Sequence, residues 1–278
     1  MRRNVARWMT TPLRGLVVLG SNGEAAQLDD AEADWVIDIV RSDVPSDRPL
    51  IAGTGRESTK ATIAATRRAA AAGVDAVLVK TSSFFKPEMT TDVFVRYYTE
   101  VADASPVPVL LYNVTKFTGV NLEPDAVVTL ALHPNIVDMK DSGSDIGQIA
   151  EAIARSPDDF TVLTGSATTM FHAFCAGSDG AVVALAGLVP REIVILEALV
   201  DEGRLDEARA LQRRLMPLAR SVGGLYGVPG LKAALELMGF AAGPPRPLLR
   251  PVSQQTIDLL RAQLDALGAL EKLSVVRH

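Results

Sequence analysis

The chain has 278 residues, of which 48% are hydrophobic and 22% charged, a balance that suits one large α/β domain or two small ones. It carries 28 basic and 33 acidic residues for a net charge of −5, and no long basic run occurs, so we expect no nucleic-acid partner. Its one cysteine, Cys175, excludes an intrachain disulfide.

Motifs for metals, membranes and export are not found in the sequence. The three histidines are far apart and have no zinc-binding spacing, so we expect no protein-bound metal and no cofactor. The first nine residues lack the apolar region of a signal peptide, and no apolar run is long enough to cross a bilayer. We therefore expect a cytoplasmic protein without a membrane partner. Cys175 lies in an apolar helical stretch, where a buried thiol is expected.

Short β-branched runs alternate with amphipathic helical patterns as far as about residue 200. The predicted strands cover residues 15–19, 50–52, 76–79, 107–112, 136–140, 160–163 and 181–184. Their starts recur roughly every 20–35 residues, which is typical of repeated βα units and favours an α/β fold of the (β/α)8 TIM-barrel type. Only seven strands are predicted. Residues 1–13 resemble the end of a helix, so the barrel is expected to lack its first strand in this sequence.

After Pro190 the pattern is wholly helical, with predicted helices at 192–200, 205–222, 231–238 and 256–267. This is more helix than the last βα unit needs. We therefore predict a barrel domain over residues 1–200 and a C-terminal helical appendage over residues 201–278, packed on the barrel.

The stretch from Asn135 to Gly143 contains the leading catalytic candidate, Lys140. A buried parallel strand ends there in a lysine followed by small polar residues, and active sites of such barrels lie at the carboxyl ends of strands. Burial disfavours the ammonium form of an amine, and only the neutral amine attacks a carbonyl. The alternative is a structural lysine that reaches the surface and pairs with Asp141 or Asp145.

Other strand ends also carry polar residues. Tyr112 closes the strand one βα unit before Lys140, and a phenol beside an amine or imine can transfer protons. The alternative is a tyrosine whose ring only packs in the barrel rim. Ser21 and Asn22 lie in a glycine-bounded turn whose free amides suit a carboxylate, and the alternative is an ordinary βα turn. Gly165 leaves room at the barrel mouth. The segment from Gly53 to Ser58 is interpreted as a turn with a helix cap.

Together the motifs GSNGE, LLYNV and VDMKDSG, in this order on a βα repeat, resemble the dihydrodipicolinate synthase and N-acetylneuraminate lyase family of pyruvate-dependent class I aldolases. Within it, the segments GLVVLGSNGE, SPVPVLLYNV and YGVPGLKAAL look most like 4-hydroxy-2-oxoglutarate aldolase. The resemblance implies that Lys140 forms the imine, that Tyr112 transfers protons and that Ser21 hydrogen-bonds this tyrosine. It also implies that Asn22 holds the substrate carboxylate, with Ser142 near the distal part of the substrate.

Three residues depart from the family pattern. Phe117 stands where synthases carry an arginine that grips the carboxylate of aspartate semialdehyde, which argues against the synthase reaction. Thr115 replaces a common proline, and Phe85 replaces a tyrosine that reaches a neighbouring subunit's site.

The leading hypothesis is an aldolase that cleaves 4-hydroxy-2-oxoglutarate to pyruvate and glyoxylate. The alternatives are a 2-keto-3-deoxy sugar acid aldolase, a dihydrodipicolinate synthase-type condensation, and a non-catalytic barrel that binds a 2-oxo acid. The expected partners are a small 2-oxo acid and, because family members are commonly tetramers, further copies of the chain.

Overall fold

The computed structural model describes residues 1–270. Its seven parallel strands are β1 Leu16–Val18, β2 Leu50–Gly53, β3 Ala76–Lys80, β4 Val109–Asn113, β5 Ile136–Asp141, β6 Thr161–Thr164 and β7 Gly180–Ala181. Its helices are α1 Arg2–Met9, α2 Asp30–Asp43, α3 Thr59–Ala71, α4 Thr91–Ala104, α5 Thr115–Thr118, α6 Pro124–Leu130, α7 Ile146–Arg155, α8 Met170–Cys175, α9 Pro190–Asp201, α10 Leu205–Arg220, α11 Gly227–Leu237 and α12 Gln254–Ala266.

The strands pair in chain order from β1 to β7, all parallel, which confirms the predicted α/β fold with a curled parallel sheet. Within residues 1–270, β1 and β7 form the two edges of this sheet, and no ladder joins them. The prediction of seven strands is therefore correct, whereas closure of an eight-stranded barrel stays a prediction.

Helix starts follow the local chemistry of the chain. Asp29 begins α2 with a capping box, because its side chain accepts from the Glu32 amide while the Glu32 side chain accepts from the Asp29 amide. Ser58 caps α3 by accepting from the Ala61 amide, as predicted. These caps fix where the chain turns back after β1 and β2.

Two apolar layers surround the strands. An outer layer packs α2, α3, α4, α6 and α7 on the sheet, and a small inner cluster contains Leu78, Leu110 and Tyr112. A second large core joins α8 and α9 to the C-terminal helices. The C-terminal helices are thus present. The division at residue 200 stays a prediction, and residues 271–278 of that predicted domain lie outside the described part.

Three local predictions are wrong. Cys175 is exposed, because α8 buries Met170, Phe171, Ala173 and Phe174 and its helical period turns Cys175 outward. The last strand is only Gly180–Ala181, since residues 184–187 form a tight 3-10 turn instead. The helix predicted to end at 222 ends at Arg220 and continues as a π-turn over Ser221–Leu225. No helix within residues 1–270 is long and apolar enough to cross a membrane.

Candidate active site

A cavity of about 1360 Å³ opens at the carboxyl ends of the strands and extends along the gap between β1 and β7. Its wall includes every site residue predicted from the sequence: Ser21, Asn22, Tyr112, Lys140, Ser142 and Gly165. The fold thus brings together side chains from β4, β5 and the turns after β1, β5 and β6. This is the place at which parallel barrels carry their chemistry.

Lys140 is buried near the end of β5, and only 8% of its surface is exposed. It pairs in register with Tyr112 of β4, and its Nζ lies 4.3 Å from the centre of the tyrosine ring. Among residues 1–270, no carboxylate comes within 4 Å of this nitrogen. The amine therefore faces an aromatic ring and a cavity, without a counter-charge in direct contact.

The alternative of a surface lysine paired with Asp141 or Asp145 is wrong. The Asp141 carboxylate accepts hydrogen bonds from Asn113 Nδ2 at 3.0 Å and Gln148 Nε2 at 2.9 Å. Asp145 instead caps α7 by accepting from the Gln148 amide.

Lys80 provides a contrast on the other side of Tyr112. It also ends a strand and is also in register with Tyr112, but its Nζ lies 2.7 Å from Glu57 Oε1. Burial opposes ionisation of Glu57, yet hydrogen bonds from Lys80 and from the amides of Ser83 and Phe84 lower its pKa to about 2. Lys80 therefore serves a charged structural contact, whereas Lys140 does not.

The turn after β1 brings a hydroxyl to the tyrosine. Ser21 Oγ lies 3.2 Å from Tyr112 Oη, and either oxygen can donate the proton. The turn itself needs left-handed backbone at Leu19 and Glu24, with φ of 55° and 58°. Asn22 is exposed at its tip and lines the cavity.

Glu24 ties this turn to the C-terminal part of the chain. Its carboxylate accepts from Lys232 Nζ at 2.6 Å and from the Arg246 amide at 2.7 Å. Both charged side chains are largely buried, with 10% and 20% exposure for Glu24 and Lys232. The position of Ser21 therefore depends on contacts more than 200 residues away in sequence, and sequence reasoning did not find this role of Glu24.

A second group that sequence reasoning missed is the Asp141 network behind Lys140. Besides Asn113 and Gln148, the Gly143 amide donates to the Asp141 carboxylate, and the Ser142 amide donates to the Asn113 carbonyl. Burial raises the pKa of Asp141, and these hydrogen bonds oppose that rise. The network fixes the turn that carries Ser142. The only sequence signal was the position of Asp141 directly after the lysine.

Gly165 approaches this turn so closely that a side chain cannot fit. A Cβ at this position would overlap Ser142 Oγ and lie 2.8 Å from Lys140 Cε. The Gly165 amide also donates to the Asp141 carbonyl. The glycine thus lets β6 and the end of β5 meet beneath the cavity.

The outer mouth of the cavity combines a cation with apolar side chains. Lys116 Nζ donates to the Gly223 carbonyl at 2.8 Å and lies 5.4 Å from the ring centre of Phe117. Phe117 and Leu225 are 59% and 67% exposed, and both line the cavity. No carboxylate within residues 1–270 lies within 4 Å of the Lys116 ammonium group.

Residues 1–267 of the chain match the Dihydrodipicolinate synthetase family. Among curated relatives, a 4-hydroxy-tetrahydrodipicolinate synthase of Xanthomonas axonopodis pv. citri is 36% identical over 272 residues, covering 97% of this chain and 89% of that protein. The enzyme of the same name from Methanospirillum hungatei JF-1 is 33% identical over 265 residues, covering 95% of this chain and 90% of that protein.

Solved structures give the same result. The crystal structure of a dihydrodipicolinate synthase from Thermotoga maritima superposes with a TM-score of 0.92 at 30% identity, covering 97% of this chain and 92% of that one. A structure described as the first monomeric dihydrodipicolinate synthase variant gives a TM-score of 0.91 at 29% identity, covering 97% of this chain and 90% of that one. The seven-stranded sheet therefore corresponds to the sheets of these TIM-barrel enzymes.

Proposed function

Since this chain belongs to the dihydrodipicolinate synthetase family, we propose that it joins pyruvate to an aldehyde through an imine on Lys140. Membership makes the chain an enzyme that acts on carbon–carbon bonds, so the non-catalytic alternative loses its support. The observation that carries the proposal is the position of Lys140, which is buried, without a carboxylate in contact, and 4.3 Å from the Tyr112 ring.

In this reaction the neutral Lys140 amine attacks the keto carbon of pyruvate. A carbon–nitrogen bond forms, the keto oxygen leaves as water, and the product is a protonated imine. This cation withdraws electrons from the neighbouring methyl group, which loses a proton to give a neutral enamine. The enamine carbon then bonds to the aldehyde carbon, the aldehyde oxygen takes a proton, and the nitrogen becomes a protonated imine again. Water adds to this imine, which releases the product and the Lys140 amine.

We propose that Tyr112 moves the protons in these steps. Its hydroxyl group shares a hydrogen bond with Ser21, and its ring lies beside the amine that becomes the imine. Asn22 and the amides of its turn are proposed to hold the carboxylate of pyruvate. Ser142 and Gly165 line the cavity beside Lys140, and we propose that the aldehyde binds there.

The relatives favour condensation over cleavage. The curated relatives named above are 4-hydroxy-tetrahydrodipicolinate synthases, so a condensation of pyruvate with aspartate semialdehyde is the better supported reaction. None of them supports the predicted cleavage of 4-hydroxy-2-oxoglutarate. Phe117 departs from the synthase arginine, but the neighbouring Lys116 supplies a cation without a carboxylate partner at the same mouth of the cavity. We propose Lys116 as the group that attracts the carboxylate of the aldehyde.

The experiment compares two substrates on the same enzyme. Consumption of pyruvate is measured with aspartate semialdehyde, and release of pyruvate is measured with 4-hydroxy-2-oxoglutarate. We expect kcat/KM for condensation to exceed that for cleavage at least tenfold, and Lys116→Gln to raise the KM for the semialdehyde with kcat little changed. Faster cleavage would reverse the assignment of the reaction.

The oligomeric state is also a proposal. Phe84 and Phe85 form an edge-to-face pair with ring centres 5.0 Å apart, and both are largely exposed on the loop that Glu57 holds. Exposed aromatic pairs of this kind suit a protein interface. We propose that this loop contacts a second copy of the chain, as the prediction of a homo-oligomer requires.

A further inference from the structure

Asp138 is a buried acid inside the sheet that the proposed reaction does not use. It lies on β5 two residues before Lys140, so both side chains leave the same face of the strand, with Cα atoms about 7 Å apart. Its neighbours in register are Leu110 of β4, which belongs to the inner cluster, and Thr161 of β6. Asp138 therefore sits one layer below Lys140, and only 9% of its surface is exposed.

The contacts of Asp138 leave its charge poorly compensated. Oδ2 accepts from Thr161 Oγ1 at 2.8 Å, whereas Oδ1 is buried and has no hydrogen-bond partner within residues 1–270. No cationic group of the described chain lies within 4 Å of this carboxylate. The carboxylate of Asp179, just before β7, adds repulsion, and Asp179 itself accepts from the Val162 amide.

These surroundings favour the neutral acid. Burial raises the pKa of Asp138 to about 7, the Thr161 hydrogen bond opposes this rise, and the charge of Asp179 adds to it. Of the groups around Asp138, Asp179 before β7 and Thr161 of β6 act on its carboxylate, and the nearest ionisable residues in the register are Lys140 on its own strand and Tyr112 on β4; the paired residues of β6, Thr161 to Thr164, are not ionisable. Arg14 and Glu197, which also line the cavity, pair with each other at 3.3 Å.

We propose that Asp138 sets the charge of the Lys140 nitrogen: the neutral acid leaves the amine and enamine free to react, and the ionised acid holds the nitrogen in its cationic forms. This inference rests on the proposed function. An anion one layer below on the same face of β5 stabilises both the ammonium ion and the protonated imine over the neutral amine and enamine. The two neutral species are the ones that attack carbonyl groups, so ionisation of Asp138 slows both attacks. Asp138 is thus a positioning residue that acts through Lys140.

Three substitutions are expected to change, in different ways, the pH at which the reaction rate falls. Asp138→Asn keeps an acceptor for Thr161 and removes the ionisation. Thr161→Val removes the hydrogen bond that lowers the pKa of Asp138, so the loss of rate moves to higher pH. Asp179→Asn removes the repelling charge and keeps an acceptor for Val162, so the loss of rate moves to lower pH.

The experiment follows exchange of the pyruvate methyl protons for deuterium by NMR between pH 6 and 8.5. Exchange needs the imine and the enamine but no aldehyde. We expect the rate ratio of Asp138→Asn to wild type to rise from near one at pH 6 to about tenfold at pH 8.5. Circular dichroism checks that each variant is folded.

The outcomes separate the two proposals. A constant rate ratio across this pH range, or shifts of the same sign for Thr161→Val and Asp179→Asn, would overturn the role of Asp138 while the imine chemistry stands. A wild-type enzyme that exchanges no methyl protons at any pH would overturn the proposed function, and the role of Asp138 with it.

Discussion

The two sides of the sheet differ in how firmly they hold the site. The strands β3 to β6 have four to six residues each and are paired on both sides. Tyr112 and Lys140 belong to β4 and β5, two of these inner strands of the sheet. The edges β1 and β7 have three and two residues, and all three residues of β1 are half-buried. Backbone hydrogen bonds to two neighbouring strands therefore fix the position of Lys140. The turn with Ser21 follows an edge strand, and its position depends on the contacts of Glu24.

The largest expected difference between the two sides is in stability. Leu111 on β4 is fully buried, whereas Leu16 on β1 is half-buried beside the cavity. We expect Leu111→Ala to lower the free energy of unfolding by about 3 kcal/mol and Leu16→Ala by about 1 kcal/mol, because only the first change opens a cavity in close-packed surroundings. Urea unfolding followed by circular dichroism measures both. Equal losses would mean that the two sides are equally well packed.

A matched pair of glycine substitutions tests the same difference at the site. In Gly165→Ala the new methyl group meets Ser142 and Lys140, whereas in Gly187→Ala, on the open side, it lies 3.8 Å from the Trp8 ring. We expect kcat/KM to fall about 100-fold in the first variant and to stay within about twofold in the second, since a misplacement of about 1 Å costs this much. A fully active Gly165→Ala enzyme would show that the end of β5 can shift freely.

The smallest expected effect concerns the tie between the edge strand and the C-terminal helices. Glu24→Gln weakens the contact with Lys232, so the turn with Ser21 and Asn22 becomes less well held. We expect the KM for pyruvate to rise about tenfold while trapping of Lys140 at saturating pyruvate is unchanged. Glu202→Gln, which breaks an exposed pair with Arg204, is the control. A loss of trapping in Glu24→Gln alone would mean that the turn also positions the lysine.

Much of this architecture was predictable from the chain. The βα spacing and the residues at strand ends identified β1 to β6, and all six candidate residues line one cavity. These features are local, because strands and turns are determined by residues that are close together in the sequence. Cys175 was placed wrongly because an apolar run alone does not reveal which helical face points outward.

The remaining features depend on distant partners. Glu57 and Lys80, which form an ion pair, are 23 positions apart in the sequence. Glu24 and Lys232 are 208 positions apart. The periodicity of apolar residues does not show which distant side chains form ion pairs. Asp138 is likewise buried because its side chain lies on the inner face of β5, and the sequence alone did not show which face of this strand is the inner one.

The most direct test of the account is the mass of the chain after incubation with pyruvate and borohydride, followed by peptide mapping. We expect one reduced pyruvyl adduct per chain, located on Lys140, and none on Lys80 or in the Lys140→Ala variant. An adduct on another lysine, or no adduct on folded protein, would contradict the assignment of Lys140 as the imine-forming residue.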